Sequence, residues 1–257
     1  MLKIIKVSGL AIAASLCMAV SALAQSLFDT TPAEGNWYAS GFVGVGLPLD
    51  AEFDGVQNPV AGIPGAQGAP AIVDADLETD VFFGGAVGRR LGFKFFNILQ
   101  PRVEVEVSRI SSDVQGGTFN DGDQIFGGSQ ETNFVFLNNY SDVIWEENQA
   151  VVPYFGGGIG VAFTDNNITY FPNNGVATAP TFAVQSDDTT VATLSAIGAT
   201  FNFIEGIEVY SEGRYYRTYG GDAERTFVGA GGNDFSAELD GDIEGFAFVG
   251  GIRFKFN

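Results

Sequence analysis

Apolar and polar positions alternate along this chain with a period of two. In the run Arg102-Val103-Glu104-Val105-Glu106-Val107-Ser108, three valines share one face and Arg102, Glu104, Glu106 and Ser108 the other. From Val151 to Thr164, Val151, Pro153, Phe155, Gly157, Ile159, Val161 and Phe163 lie on one side. Val152, Tyr154, Gly156, Gly158, Gly160, Ala162 and Thr164 lie on the opposite side. Phe246, Phe248, Gly250, Ile252, Phe254 and Phe256 alternate with Gly245, Ala247, Val249, Gly251, Arg253 and Lys255. Between Ile207 and Thr218, Glu208, Tyr210, Glu212, Arg214 and Tyr216 face away from Ile207, Val209 and Tyr215. This is the signature of β-strands, not helices. Residues 37–47, 81–91, 133–143 and 190–203 also read as strands, with their facing left open by the pattern.

The predicted strands number eight, and their connections alternate in length. Residues 48–80, 111–132, 165–189 and 219–242 form long, Gly-, Asn- and Asp-rich stretches. Residues 92–100, 144–150 and 204–206 are short. Even strand number, short turns at one rim and long loops at the other predict an all-β fold, an eight-stranded antiparallel up-and-down transmembrane β-barrel. A soluble sandwich has no reason to alternate in this way.

The start of the chain reads differently. Lys3 and Lys6 precede an apolar run from Val7 to Ser21, and Ala22-Leu23-Ala24 supplies a small-x-small cleavage pattern. Residues 1–24 are expected to be a secretory signal peptide, too short in its apolar part to span a bilayer. Residues 25–35 then form an N-terminal lead and residues 36–257 the barrel domain. The one cysteine, Cys17, falls inside the leader, and Leu16 before it is too bulky for a lipoprotein cleavage site.

Composition narrows the function. With Cys17 removed and no histidine in the chain, disulfide scaffolds, Cys/His zinc sites and His-based hydrolytic triads are excluded. The formal net charge of −19, made two units more negative by loss of Lys3 and Lys6, leaves no basic patch for nucleic acid. An aromatic content of 13% with 35 glycines argues for folded β structure instead of disorder.

Several motifs in order resemble the small bacterial outer-membrane β-barrel family, which includes the transmembrane domain of outer-membrane protein A and the opacity-type surface proteins. They are Trp37-Tyr38-Ala39-Ser40-Gly41, the run from Phe83 to Gly92, Arg102-Val103-Glu104, the run from Pro153 to Gly160, Glu212-Gly213-Arg214-Tyr215-Tyr216, and Gly251 to Phe256. The resemblance implies location in the cell outer membrane, with lipid and the barrel-assembly machinery as partners. It also implies that Phe254 and Phe256 act as a C-terminal assembly signal. Members usually end on an aromatic residue; here Asn257 follows Phe256.

The alternation places Arg102, Glu104, Glu106, Glu208, Glu212, Arg214, Arg253 and Lys255 on the face opposite the lipid. An eight-stranded interior is filled by side chains, so these charges are expected to form a salt-bridged plug; the other reading is a narrow polar path whose pairs switch partners. Almost all the excess negative charge falls in the four long stretches. The first carries Asp50, Glu52, Asp54, Asp74, Asp76, Glu78 and Asp80; the fourth offers Arg225 as the only base. Solvated acidic loops are the expectation, with calcium at Asp121 and Asp123 or at Asp240 and Asp242 as the alternative, although neither pair has calcium-loop spacing. Trp37, Tyr38, Tyr154, Tyr215, Tyr216 and Phe256 sit near strand ends, as an aromatic girdle would. Gly156 to Gly160 lie within a strand and are read as making room in a tight lumen, not as a phosphate loop. No cofactor and no catalytic residues are expected. The sequence therefore predicts a non-enzymatic outer-membrane scaffold whose acidic extracellular loops meet the environment, an extracellular ligand or a host surface. The alternative is a small cation-preferring, porin-like channel.

Overall fold

The computed structural model describes residues 30–49, 51–63, 65–229 and 235–256. The leader therefore lies outside the described residues, as do Asp50 and Asn257. Among the described residues fourteen strands form one antiparallel sheet. Eight make the predicted barrel: β2 (Trp37–Pro48), β5 (Asp80–Arg90), β7 (Leu99–Phe119), β8 (Gly122–Val143), β9 (Val151–Pro172), β10 (Phe182–Ile204), β11 (Ile207–Tyr219) and β14 (Glu244–Phe256). Each pairs with the next, and β14 closes on β2 from Gly245↔Pro48 to Phe256↔Trp37. Closure leaves the eight barrel strands no open edge toward the lipid, which is what a bilayer demands of backbone N–H and C=O groups. A short β1 (Thr30–Pro32) pairs with β6 (Phe93–Phe95) at the end where the turns are short.

The outer face of this ring is apolar. Val43, Phe83, Val105, Phe155, Ile159, Ile197, Phe248 and Phe254 are all exposed, although they are large hydrophobic residues. In water such a continuous patch would be a liability; facing acyl chains it is the driving surface.

The long connections are not loops, and this corrects the sequence reading. β3 (Ala51–Gln57), β4 (Pro70–Leu77), β12 (Gly221–Phe227) and β13 (Ser236–Asp242) join the far halves of β7, β8, β9 and β10 in a second closed ring. The barrel thus has two storeys, with four strands of 21 to 23 residues running through both. The physical reason is again alternation: Ala71, Val73, Ala75 and Leu77 are buried inside, while Asp74 and Asp76 alternate with them on the outer side. Turn chemistry is confined to a few sites, among them Gly62, Gly65 and Gly68 with φ of 79°, 103° and 78°, and the Asn120–Asp121 hairpin tip.

Candidate functional site

Inside the membrane storey the eight residues expected opposite the lipid all project inward, and seven of them are buried; Lys255 is part-exposed at the turn end. Together with Arg90 and Asp142 they form two ion-pair clusters. In the one nearer the turns, Asp142 accepts from Arg90 Nε at 2.6 Å and Arg102 Nε at 3.0 Å. Glu208 receives Arg90 at 2.8 Å, Arg253 at 2.9 Å and Lys255 at 3.3 Å. Glu104 pairs with Arg102 and accepts the Tyr38 hydroxyl at 2.5 Å. Deeper in the barrel, Arg214 bridges Glu106 at 2.8 Å and Glu212, and Asn138 Nδ2 donates to Glu106 at 3.2 Å. Five cations (Arg90, Arg102, Arg214, Arg253, Lys255) meet five carboxylates (Glu104, Glu106, Asp142, Glu208, Glu212), so the network is neutral. That balance is what permits charge in a dry interior, where an unpaired ion is very costly.

The guanidinium planes are also walled by rings. Arg102 lies 4.2 Å from the Tyr140 centroid and 4.4 Å from that of Tyr154; Arg253 lies between Tyr38 and Tyr210 at 4.8 and 4.7 Å. Each of the five buried tyrosines described in the membrane storey faces a glycine on the adjacent strand: Tyr38 opposite Gly88, Tyr140 opposite Gly156, Tyr154 opposite Gly198, Tyr210 opposite Gly251 and Tyr216 opposite Gly245. A Cβ at any of these glycines would stand under 3.0 Å from the ring. The glycines therefore provide the space in which the rings lie flat against the wall.

Two residues of the network were missed in the sequence, Arg90 and Asp142. The expected charge set was already balanced without them, so arithmetic did not demand a further pair. Both lie in strands whose facing the pattern left open. The aromatic girdle is corrected as well: Trp37, Tyr215 and Phe256 point outward, but Tyr38, Tyr154 and Tyr216 are buried in the lumen. Strand-end position does not decide facing; parity does, and Tyr154 and Tyr216 already shared parity with Val152 and Arg214. Phe254 and Phe256 are exposed on the outer face at the end of β14.

Beyond the ion pairs a slab of buried aromatic rings crosses the lumen. Phe82 stacks on Phe42 at 6.0 Å and on Tyr216 at 5.9 Å, and Phe134 stacks on Phe136 at 5.3 Å. A polar layer follows, in which Gln130 donates to Asn166 at 2.8 Å and Thr132 meets Thr164 at 3.3 Å. The far storey then has an apolar core of Phe53, Val73, Leu77, Ile168, Val184 and Leu239. Outside it, exposed carboxylates stand opposite one another: Asp54 across from Asp240, Asp240 from Asp222, and Glu224 from Glu238. Burial raises the Tyr170 hydroxyl above its usual range, although Arg225 pulls the other way. Burial works against ionisation of Asp242, but hydrogen bonds from Arg217 and the Gly220 N–H hold its carboxyl below the usual range. Among the described residues no group of three or more acidic, His or Cys side chains is arranged to hold a metal. At the turn end the lumen opens into a vestibule of about 1240 Å³ floored by Arg90 and Glu208.

No family model and no curated protein matches the chain. Among solved structures it is similar to outer membrane protein OprG from Pseudomonas aeruginosa (16% identity, 88% of this chain and 97% of that one, TM-score 0.44). It is also similar to the outer membrane protease OmpT from Escherichia coli (12%, 89% and 98%, 0.48) and to Neisserial surface protein A (9%, 87% and 99%, 0.41). At these scores no residue role passes from them to this chain, and the architecture rests on its own strand pairing. That pairing, closed over an apolar belt, is that of an eight-stranded outer-membrane β-barrel, whose place is the cell outer membrane.

Proposed function

We propose that this protein is a non-conducting outer-membrane scaffold that holds an acidic surface outside the cell. The observation that supports this most directly is the double closure of the lumen, by a charge-neutral ion-pair network and then by a slab of stacked rings. A cation path would need carboxylates free to exchange ions, whereas each lumenal carboxylate here is engaged by an arginine, a tyrosine or an asparagine. Short turns at one end and the far storey at the other orient the molecule, with the far storey extracellular. Its outer carboxylates then concentrate cations and cationic groups at the surface. Lipid and the assembly machinery, which would read Phe254 and Phe256 at the end of β14, are the expected membrane partners; an environmental or host surface is the expected outer one. The chain has no histidine, and the scaffold reading assigns it no reaction.

The test is electrical. The mature chain is refolded into a planar bilayer, insertion is verified, and current is recorded in a potassium salt. Silence is expected. Discrete steps with a cation-biased reversal potential would overturn the scaffold reading in favour of a porin-like channel.

A further inference from the structure

Arg225 is the one basic residue in the four long segments 48–80, 111–132, 165–189 and 219–242, all rich in carboxylates. It pairs with none of them among the described residues. Instead its side chain turns into the far storey and is 2% exposed. The guanidinium lies 3.8 Å from the Phe182 centroid and 4.3 Å from that of Phe119. Nε donates to the Tyr170 hydroxyl and Nη1 donates to Gln57 Oε1 at 3.0 Å, both neutral acceptors. Around it runs a continuous ladder of rings from five strands, β7, β8, β9, β10 and β12. Tyr170 stacks on Phe126 at 5.0 Å, on Phe182 at 5.4 Å and on Phe119 at 5.8 Å, and Phe227 meets Phe182 edge-on at 5.3 Å. Except for Tyr170, these rings are only partly buried.

A buried cation with neutral partners keeps its charge uncompensated, at a cost that a nearby carboxylate would have removed. Guanidinium is the group best shaped to take a planar anion through two parallel hydrogen bonds while its faces stay stacked. We propose that Arg225 and the rings of Phe119, Phe126, Tyr170 and Phe182 form a binding site for a small flat ligand carrying a carboxylate, an aromatic acid. The surrounding outer carboxylates repel anions in general, so stacking must contribute much of the affinity and an aliphatic acid of the same charge is discriminated against. The inference goes beyond the scaffold reading and is independent of it, because lipid discs leave both ends of the barrel open to ligand whether or not the lumen conducts.

The experiment is isothermal titration of the full mature barrel in lipid nanodiscs with benzoate, benzamide and acetate, with empty discs subtracted. Benzoate is expected to bind saturably and roughly tenfold more tightly than benzamide, the difference that a charge-assisted contact supplies, and acetate not at all. Arg225→Gln is expected to erase the difference between benzoate and benzamide. Equal binding of the two by the unaltered protein, or a difference that survives in Arg225→Gln, overturns the proposal. If the variant does not fold, the side-chain ¹⁵N signal of Arg225 decides: benzoate must move it and benzamide must not, and an unmoved signal overturns the site.

Discussion

The two storeys of this barrel are built from the same four long strands, yet their cross-sections are inverted. In the membrane storey the outside is apolar and the inside holds ten charged groups; in the far storey the inside is a core of Phe53, Val73, Leu77 and Leu239 and the outside is acidic. β9 shows the changeover within one strand. Phe155, Ile159 and Phe163 face out, and two residues beyond Phe163 the same face carries Asp165 and Asn167, while Ile168 and Tyr170 turn inward. Parity does not change; the solvent does. Where lipid covers the outer face, burial drives apolar side chains outward and leaves polar ones to pair in the lumen. Where water covers it, the ordinary rule of an apolar core returns.

If the storeys rest on different forces, they should fail differently. The largest effect is expected for Arg102→Ala, which strips Asp142 and Glu104 of a buried partner. The loss should be roughly 3–5 kcal/mol, measured by urea unfolding of the barrel in lipid vesicles, and should extend to the whole molecule. Leu239→Ala should cost roughly 2–5 kcal/mol but only in the far storey. Hydrogen exchange should rise in β3, β12 and β13 while the membrane storey keeps its resistance to unboiled detergent gels; a global loss of that resistance would dissolve the distinction. Gly88→Val, which drives a side chain into the Tyr38 ring, should cost roughly 1–3 kcal/mol. The same change at Gly127, where a Cβ meets nothing within 4 Å, should cost far less. The smallest effect is electrostatic. Asp242 ionises more readily folded than unfolded, so its pairing with Arg217 stabilises above the ordinary carboxylate pKa and fades as pH falls through the depressed folded value. The pair is part-exposed, with 41% and 36% of the side chains accessible, so solvent screening keeps its contribution small. Asp242→Asn should flatten that portion of the stability–pH curve slightly.

The membrane storey was legible in the sequence because lipid enforces strict alternation. Val103, Val105 and Val107 leave no other face for Arg102, Glu104 and Glu106. Facing was lost where glycines dilute the contrast, as between Gly84 and Gly88 in β5, and Arg90 was lost with it. The far storey was hidden for a different reason. Ala71, Val73 and Ala75 alternate as cleanly as any strand, but they are small and set among Asp, Gly and Pro, residues that usually mark turns. The glycines of β3, β12 and β13 instead sit in extended backbone, where Gly55 and Gly241 leave room for the neighbouring strands. Arg225 read as a minor correction to an acidic count; only the tertiary pairing brings Phe119, Tyr170 and Phe182 around it.

The unbroken strands also set how tall the molecule stands. At about 3.3 Å per residue and a tilt near 40°, the 23 residues of β10 rise on the order of 55 Å, about twice the apolar band of such a barrel. The acidic wall is thus carried on a stiff mast, not on tethers, and its carboxylates keep fixed heights above the lipid. Permissive points for grafting a foreign peptide shrink accordingly to the few turns at the summit, such as the stretch around Gly62 to Gly68 and the tip at Asn174–Val176, where Val176 is 82% exposed. An insertion into the mast itself, at Asn167 for example, would shift the register of two neighbouring strands at once and should cost surface expression of the whole chain.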